Sequence, residues 1–197
     1  MTRDELLDLF RRCSALLEGH FRLSSGLHSP GYLQCALVLQ HPQHAEALGR
    51  ALGERVKDLR PTTILSPALG GLIIGHEVAR AVGARALFAE REDGVLRLRR
   101  GFTISDSERV VVVEDVVTTG GSTRETIQVA TAAGAQVLAA VSVVDRSSGK
   151  ATLDVPLHSL LTLSLPTYDP DACPLCAQGL PVAKPGSRQI SLPHQSA

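Results

Sequence analysis

The sequence predicts an α/β fold built on a central, mostly parallel β-sheet flanked by helices. Three observations carry that prediction. Short apolar runs alternate along the chain with segments of helical periodicity. One of these runs, Val110-Val-Val-Val113, has no polar alternation, as expected of a strand covered on both faces. The runs end in loops rich in Gly, Ser and Thr, and sheets of this class bind ligands at the C-terminal ends of their strands.

Thr2 and Glu5 have capping-box spacing and open a first helix. Leu6, Leu9, Phe10, Cys13, Leu16 and Leu17 continue it at helical spacing. Residues 19–33, with their Gly, Ser and Pro, read as a loop. Pro42 sits in a first helical turn, and Ala45, Leu48, Leu52 and Val56 mark that helix's buried face. Residues 62–65 form a short strand. A helix over 71–82 follows, closed by Gly83. Residues 84–89 form a strand, Glu92-Asp93-Gly94 a turn, and 95–98 the return arm of a hairpin. Strand 109–113, helix 122–133 and strand 136–144 complete the pattern.

At 197 residues the chain suits one domain with a full core. Twenty basic residues balance twenty acidic ones, so no global charge recommends nucleic acid or a membrane surface as partner. Aromatics make up 3% and Trp is absent, which disfavours a stacking platform for single strands. No apolar run approaches the roughly 20 residues of a spanning helix. Acids near the start are unlike a secretory leader, and a cytoplasmic protein is expected.

The chemistry concentrates in Glu114-Asp115-Val116-Val117-Thr118-Thr119-Gly120-Gly121-Ser122. Glycines let backbone N–H groups close on a phosphate, hydroxyls add donors, and the start of the next helix adds partial positive charge. Two carboxylates beside a phosphate would repel it. They become useful if they hold a hydroxylated group attached to that phosphate, such as a ribose. A plain strand–turn–helix would explain the Gly and Ser but not adjacent acids at the end of a buried strand. No GxxxxGK[ST] or GxGxxG is present.

Residues 110–123 resemble the phosphoribosyl pyrophosphate (PRPP) signature of the type I phosphoribosyltransferases. The resemblance implies that fold, with a small N-terminal hood within residues 1–40, a single domain over 1–182 and an extended tail over 183–197. It implies that Glu114 and Asp115 are the catalytic pair on the ribose hydroxyls, and that 116–122 hold the 5-phosphate.

Three further segments resemble the orotate branch of the family. Phe21 to Leu33 looks like its substrate loop, which points to Ser24 and Tyr32 as orotate contacts. Ser66 to Leu72 looks like its pyrophosphate loop, through Ala68, Leu69, Gly70 and Gly71. Asp145-Arg146 follows the last apolar strand, and Arg146 would bind the orotate carboxylate through two hydrogen bonds, with Thr118 also near the base. The implied reaction joins orotate to PRPP with Mg2+ carried by PRPP, releasing orotidine 5-monophosphate and pyrophosphate in pyrimidine (UMP) biosynthesis. A homodimer is expected on the same ground. The rivals are transfer to another base and a non-catalytic PRPP-sensing regulator; zero net charge and the absence of a basic stripe disfavour the regulator.

The chain departs from the family in two places. Ser24 stands where many members carry Lys, and residues 88–102 contain neither Lys nor His. Arg91 is therefore the expected pyrophosphate cation, and a proton donor stays unassigned because guanidinium holds its proton too tightly. Cys173-Pro-Leu-Cys176 is a candidate structural pair with knuckle spacing, but it offers two ligands where structural zinc takes four. Packed reduced thiols are the preferred reading. A metal completed across a dimer or by His194, or a redox pair, stays open.

Overall fold

The computed structural model describes residues 1–23 and 25–185. Helix α1 (Arg3–Arg12) begins at the expected capping box: Glu5 N–H donates to Thr2 Oγ1 at 3.3 Å and Thr2 N–H to Glu5 Oε2 at 2.7 Å. The helix is shorter than its apolar spacing suggests. Ser14 lies at φ 52°, in the left-handed region, and turns the chain into a strand.

That strand, β1 (Leu16–Arg22), pairs antiparallel with β2 (His28–Leu33). The expected loop over 19–33 is thus a hairpin, and Leu16 and Leu17 belong to it. Its turn-forming residues hid it, because alternation is broken by Gly19, Pro30 and Gly31 and by a register shift between Glu18 and Phe21. The partners that complete it come from the far end of the chain: Phe21 bridges to Ala183 and His28 to Tyr168.

The short helix α2 (Ala36–Leu39) and then α3 (Pro42–Gly53) lead to β3 (Thr63–Pro67). α4 (Gly71–Val82) ends at Gly83, which lies at φ 71°. β4 (Arg85–Glu92) and β5 (Val95–Leu98) form the expected hairpin around Asp93-Gly94. β6 (Arg109–Val117), α5 (Gly121–Ala132) and β7 (Gln136–Asp145) follow. A further strand, β8 (Leu157–Thr162), and a one-turn helix, α6 (Pro174–Ala177), lay outside the sequence expectation. Strand β7 is therefore not the last; β8 is mixed in polarity because it closes a sheet edge.

The main sheet has the order β5-β4-β3-β6-β7-β8, parallel throughout except for β5. The valine run explains itself here. Val111 and Val113 face one core with Leu48, Ile74 and Val78; Val110 and Val112 face another with Leu65, Ile127 and Ala130. Both faces of β6 are dry, so alternation has no role. From β3 the chain proceeds toward β4 on one side, and from β6 toward β7 on the other. The crevice between the C-terminal ends of β3 and β6 is thus the topological switch point where ligands are expected. Among the described residues no helix is long and apolar enough to cross a membrane.

Candidate active site

The loop after β3 and the loop after β6 meet at that crevice. A Cβ placed on Gly70 would lie 2.7 Å from Asp115 Oδ1, so only glycine lets the 67–71 turn sit against the acidic pair. A Cβ on Gly71 would likewise meet the Val113 carbonyl at 2.9 Å. The Ala68–Leu69 peptide is cis, and Leu69 is exposed to solvent.

Glu114 and Asp115 lie within β6 rather than beyond it, and both are largely buried. Asp115 Oδ1 accepts from Val116 N–H at 2.8 Å. No cation of the protein pairs with either acid among the described residues. Burial, followed by the charge of Asp115, pushes Glu114 up to about 8. Burial also raises Asp115, against its backbone hydrogen bonds. Beneath them lies Cys35, fully buried; burial and the two acids hold its thiol well above the usual range. The pair is an electron-rich spot without a partner, suited to hydroxyl donors, a metal or a developing positive charge.

Next to it, residues 116–123 with Glu114 and Glu125 line a cavity of about 280 Å³. Gly120 makes its turn at φ 75°, and α5 starts at Gly121, so the first N–H groups of that helix border the cavity. Arg124 braces the loop from behind, its Nη1 donating to the carbonyls of Thr119 and Thr152, each at 3.0 Å. Sequence reasoning missed Arg124, although a cation in the first turn of a helix opposes the helix dipole and signals another task. Arg91 donates to the Gly94 carbonyl and pairs at 3.0 Å with Glu125 Oε2, whose residue lines that cavity; Arg91 itself does not line it. Arg97 and Arg99 pair with Glu92, and Arg100 with Glu90, all within the same exposed hairpin.

A second cleft of about 480 Å³ adjoins the first through Thr118 and Thr119. Its walls come from the β1–β2 connection, Tyr32, Arg146 and the segment after β8. Arg146 is half-buried, and its Nε is enclosed with no hydrogen-bond partner among the described residues. Burial draws its pKa below the ordinary guanidinium value, with Tyr32 opposing. Asp145 does not pair with it: its carboxylate accepts from the N–H groups of Ser147 and Gly149, at 2.7 and 3.1 Å, and so shapes the turn. Arg146 N–H donates to the Val117 carbonyl at 2.8 Å, which ties the second cleft to the end of β6. A half-buried guanidinium that lines a cleft with no acid partner among the described residues can receive a planar anion.

The structure thus gathers Glu114, Asp115, the 116–122 loop, Tyr32 and Arg146 around two adjoining cavities, with Gly70 against the acids. Ser24 lies outside the described residues, as does His194. Leu165 and Thr167, which complete the second cleft, come from irregular chain that carries no motif. Another groove, about 460 Å³ between α3 and α4, is lined by Arg50, Glu54, Lys57, Glu77 and Arg80, charges that pair among themselves and with Glu46.

Comparison with known proteins gives a consistent result. A phosphoribosyl transferase domain matches residues 36–164. The orotate phosphoribosyltransferase of Desulforamulus reducens is 52% identical over 191 residues, covering 97% of this chain and all of that protein. That of Pelotomaculum thermopropionicum is 53% identical over 190 residues, covering 96% of this chain and all of that protein. Among solved structures, orotate phosphoribosyltransferase from Aeropyrum pernix superposes with a TM-score of 0.68 at 28% identity, covering 80% of this chain and 93% of that one. The Mycobacterium tuberculosis H37Rv enzyme in complex with Fe(III) dicitrate gives a TM-score of 0.71 at 27% identity, covering 82% and 96%.

Proposed function

This chain belongs to the phosphoribosyltransferase family, and from that premise we propose that it transfers the ribose 5-phosphate of PRPP to orotate, releasing pyrophosphate and forming orotidine 5-monophosphate. The observation that carries the choice of acceptor is the half-buried Arg146 lining the cleft beside the phosphate cavity, with no acid partner among the described residues. A purine has no carboxylate to offer it; orotate does.

The roles follow from position. The N–H groups at the start of α5 and the hydroxyls of Thr118, Thr119 and Ser122 take the 5-phosphate. Glu114 and Asp115 accept hydrogen bonds from the ribose hydroxyls. The negative charge of Asp115, and of Glu114 once it gives up its proton, then lies beneath the anomeric carbon as it becomes cation-like on losing pyrophosphate. The 68–71 turn, held against Asp115, receives the pyrophosphate, with Arg91, tethered to Glu125, supplying charge from beside the cavity. Tyr32 and Arg146 orient the base, and fixing both reactants in adjoining cavities removes part of the entropic barrier, on the order of several kcal/mol. The buried oxygens of Glu114 and Asp115, free of any protein cation, fit Mg2+ entering with PRPP, where it would neutralise the charge of the leaving group.

The reading extends to a cytoplasmic homodimer making UMP precursors. The four cysteines are unpaired, as suits a reducing compartment. Exposed Leu69 and Ile73 leave apolar surface beside the site for a second copy.

The test offers purified protein PRPP and Mg2+ with orotate, adenine or xanthine in turn. Loss of orotate absorbance that requires both PRPP and Mg2+, with the purines left untouched, is the expected result. Consumption of a purine in preference to orotate would overturn the assignment.

A further inference from the structure

The two cysteines that lacked partners in the sequence find them in the hood. His20, His28, Cys173 and Cys176 each offer one ligand atom, and all four atoms lie within 4.8 Å of one another. His20 Nε2 is 2.9 Å from His28 Nδ1, 3.5 Å from Cys173 Sγ and 3.8 Å from Cys176 Sγ; Cys176 Sγ is 3.3 Å from His28 Nδ1. Zn–S bonds of about 2.3 Å and Zn–N bonds of about 2.0 Å imply tetrahedral edges of roughly 3.3–3.8 Å. Three of these distances fall in that range, and the His–His edge need open only slightly.

Hydrogen bonding within the protein does not account for the cluster. His20 Nδ1 is 2.8 Å from the Leu180 carbonyl, which can only accept, so Nδ1 carries the hydrogen. In the neutral ring, Nε2 is then a single lone pair, yet a nitrogen and two sulfurs converge on it. One lone pair satisfies one donor. A cation at the centre satisfies all four groups, and the Leu180 contact becomes the outer hydrogen bond that orients a metal-bound imidazole.

The backbone builds the site as well. Cys173 caps α6, Pro174 opens it, and Gly179 at φ 70° reverses the chain to present the Leu180 carbonyl. Ala183 N–H donates to the His20 carbonyl, and His28 and Tyr168 exchange both backbone hydrogen bonds. His20, His28 and Cys173 are buried, while exposed Cys176 leaves a way in.

We propose that His20, His28, Cys173 and Cys176 form a structural zinc site that clamps the C-terminal segment onto the β1–β2 hairpin. Two thiolates and two neutral imidazoles balance Zn2+, and binding releases the two thiol protons. His20 and His28 flank the connection whose Leu23, Ser25 and Leu27 line the acceptor cleft, so the metal fixes both ends of that loop. The site is separate from the Mg2+ of catalysis and does not depend on the choice of acceptor.

The test measures metal in protein purified under reducing conditions without metal-affinity resin or chelator. One zinc per chain is expected, retained in Cys13→Ser and lost in the double variant Cys173→Ser/Cys176→Ser. Because that variant could misfold, wild-type apoprotein is titrated with Co2+, where a stoichiometric tetrahedral spectrum with thiolate charge-transfer absorption is expected. Apoprotein that binds no Co2+ with its thiols reduced, or a Cys173–Cys176 disulfide in freshly purified protein, would overturn the site.

Discussion

In the proposed mechanism Glu114 is a buried acid that serves catalysis at the expense of stability. Its folded value of about 8 lies far above the ordinary glutamate range. Between those limits the folded chain keeps a proton that the unfolded chain has released, so stability falls as pH rises through the window, by on the order of a few kcal/mol. The loss is absent below the ordinary range and complete above about pH 8. Glu114→Gln should therefore raise the melting temperature of the ligand-free protein at pH 8.5 and barely change it at pH 4.5, while transfer activity collapses. An equal shift at both pH values would show that burial of Glu114 carries no such cost. The acids were legible in the sequence because a buried strand has no other use for them. Arg146 was legible only through resemblance; that it is enclosed and apart from Asp145 is a three-dimensional fact. Arg124 was not read at all, since its partners are carbonyls, which leave no trace in side-chain chemistry.

At the level of elements, the strands and helices of the main sheet followed from periodicity, from β3 to β7. The N-terminal hairpin did not, because its order comes from Tyr168 and Ala183, more than a hundred residues away. Close helix packing was also invisible. A Cβ on Gly49 of α3 would lie 2.5 Å from Glu77 Cβ and 2.8 Å from the Glu77 backbone carbon of α4. Gly→Ala inside a free helix is worth about 0.5–1 kcal/mol in favour of Ala. Overpacking typically costs about 1–3 kcal/mol, and here the neighbouring backbone cannot swing aside. Gly49→Ala should therefore lower the melting temperature by a few degrees. An unchanged or raised value would mean that α3 and α4 slide apart freely.

Across the whole molecule, the N-terminal hairpin meets the segment from Tyr168 to Ala183 beside the proposed acceptor cleft, while the sheet supplies the proposed donor site. The proposed donor site lies where β3 and β6 diverge, a place that fold class alone foretells. The proposed acceptor cleft is built from the hairpin, the end of β7 and the irregular segment after β8, so no single stretch of sequence contains it. The cysteine pair read as two ligands short because the missing histidines lie some 150 residues earlier, brought there by the same closure. The central claim is that Arg146 selects the acceptor by its carboxylate. Uracil is orotate without that group, so the decisive measurement is kcat/KM for orotate relative to uracil, in wild type and in Arg146→Ala. A hydrogen-bonded site rejects an analogue lacking its partner by large factors. Wild type should prefer orotate strongly, and the preference should collapse in Arg146→Ala while KM for PRPP changes little. A preference that survives the substitution would contradict the account.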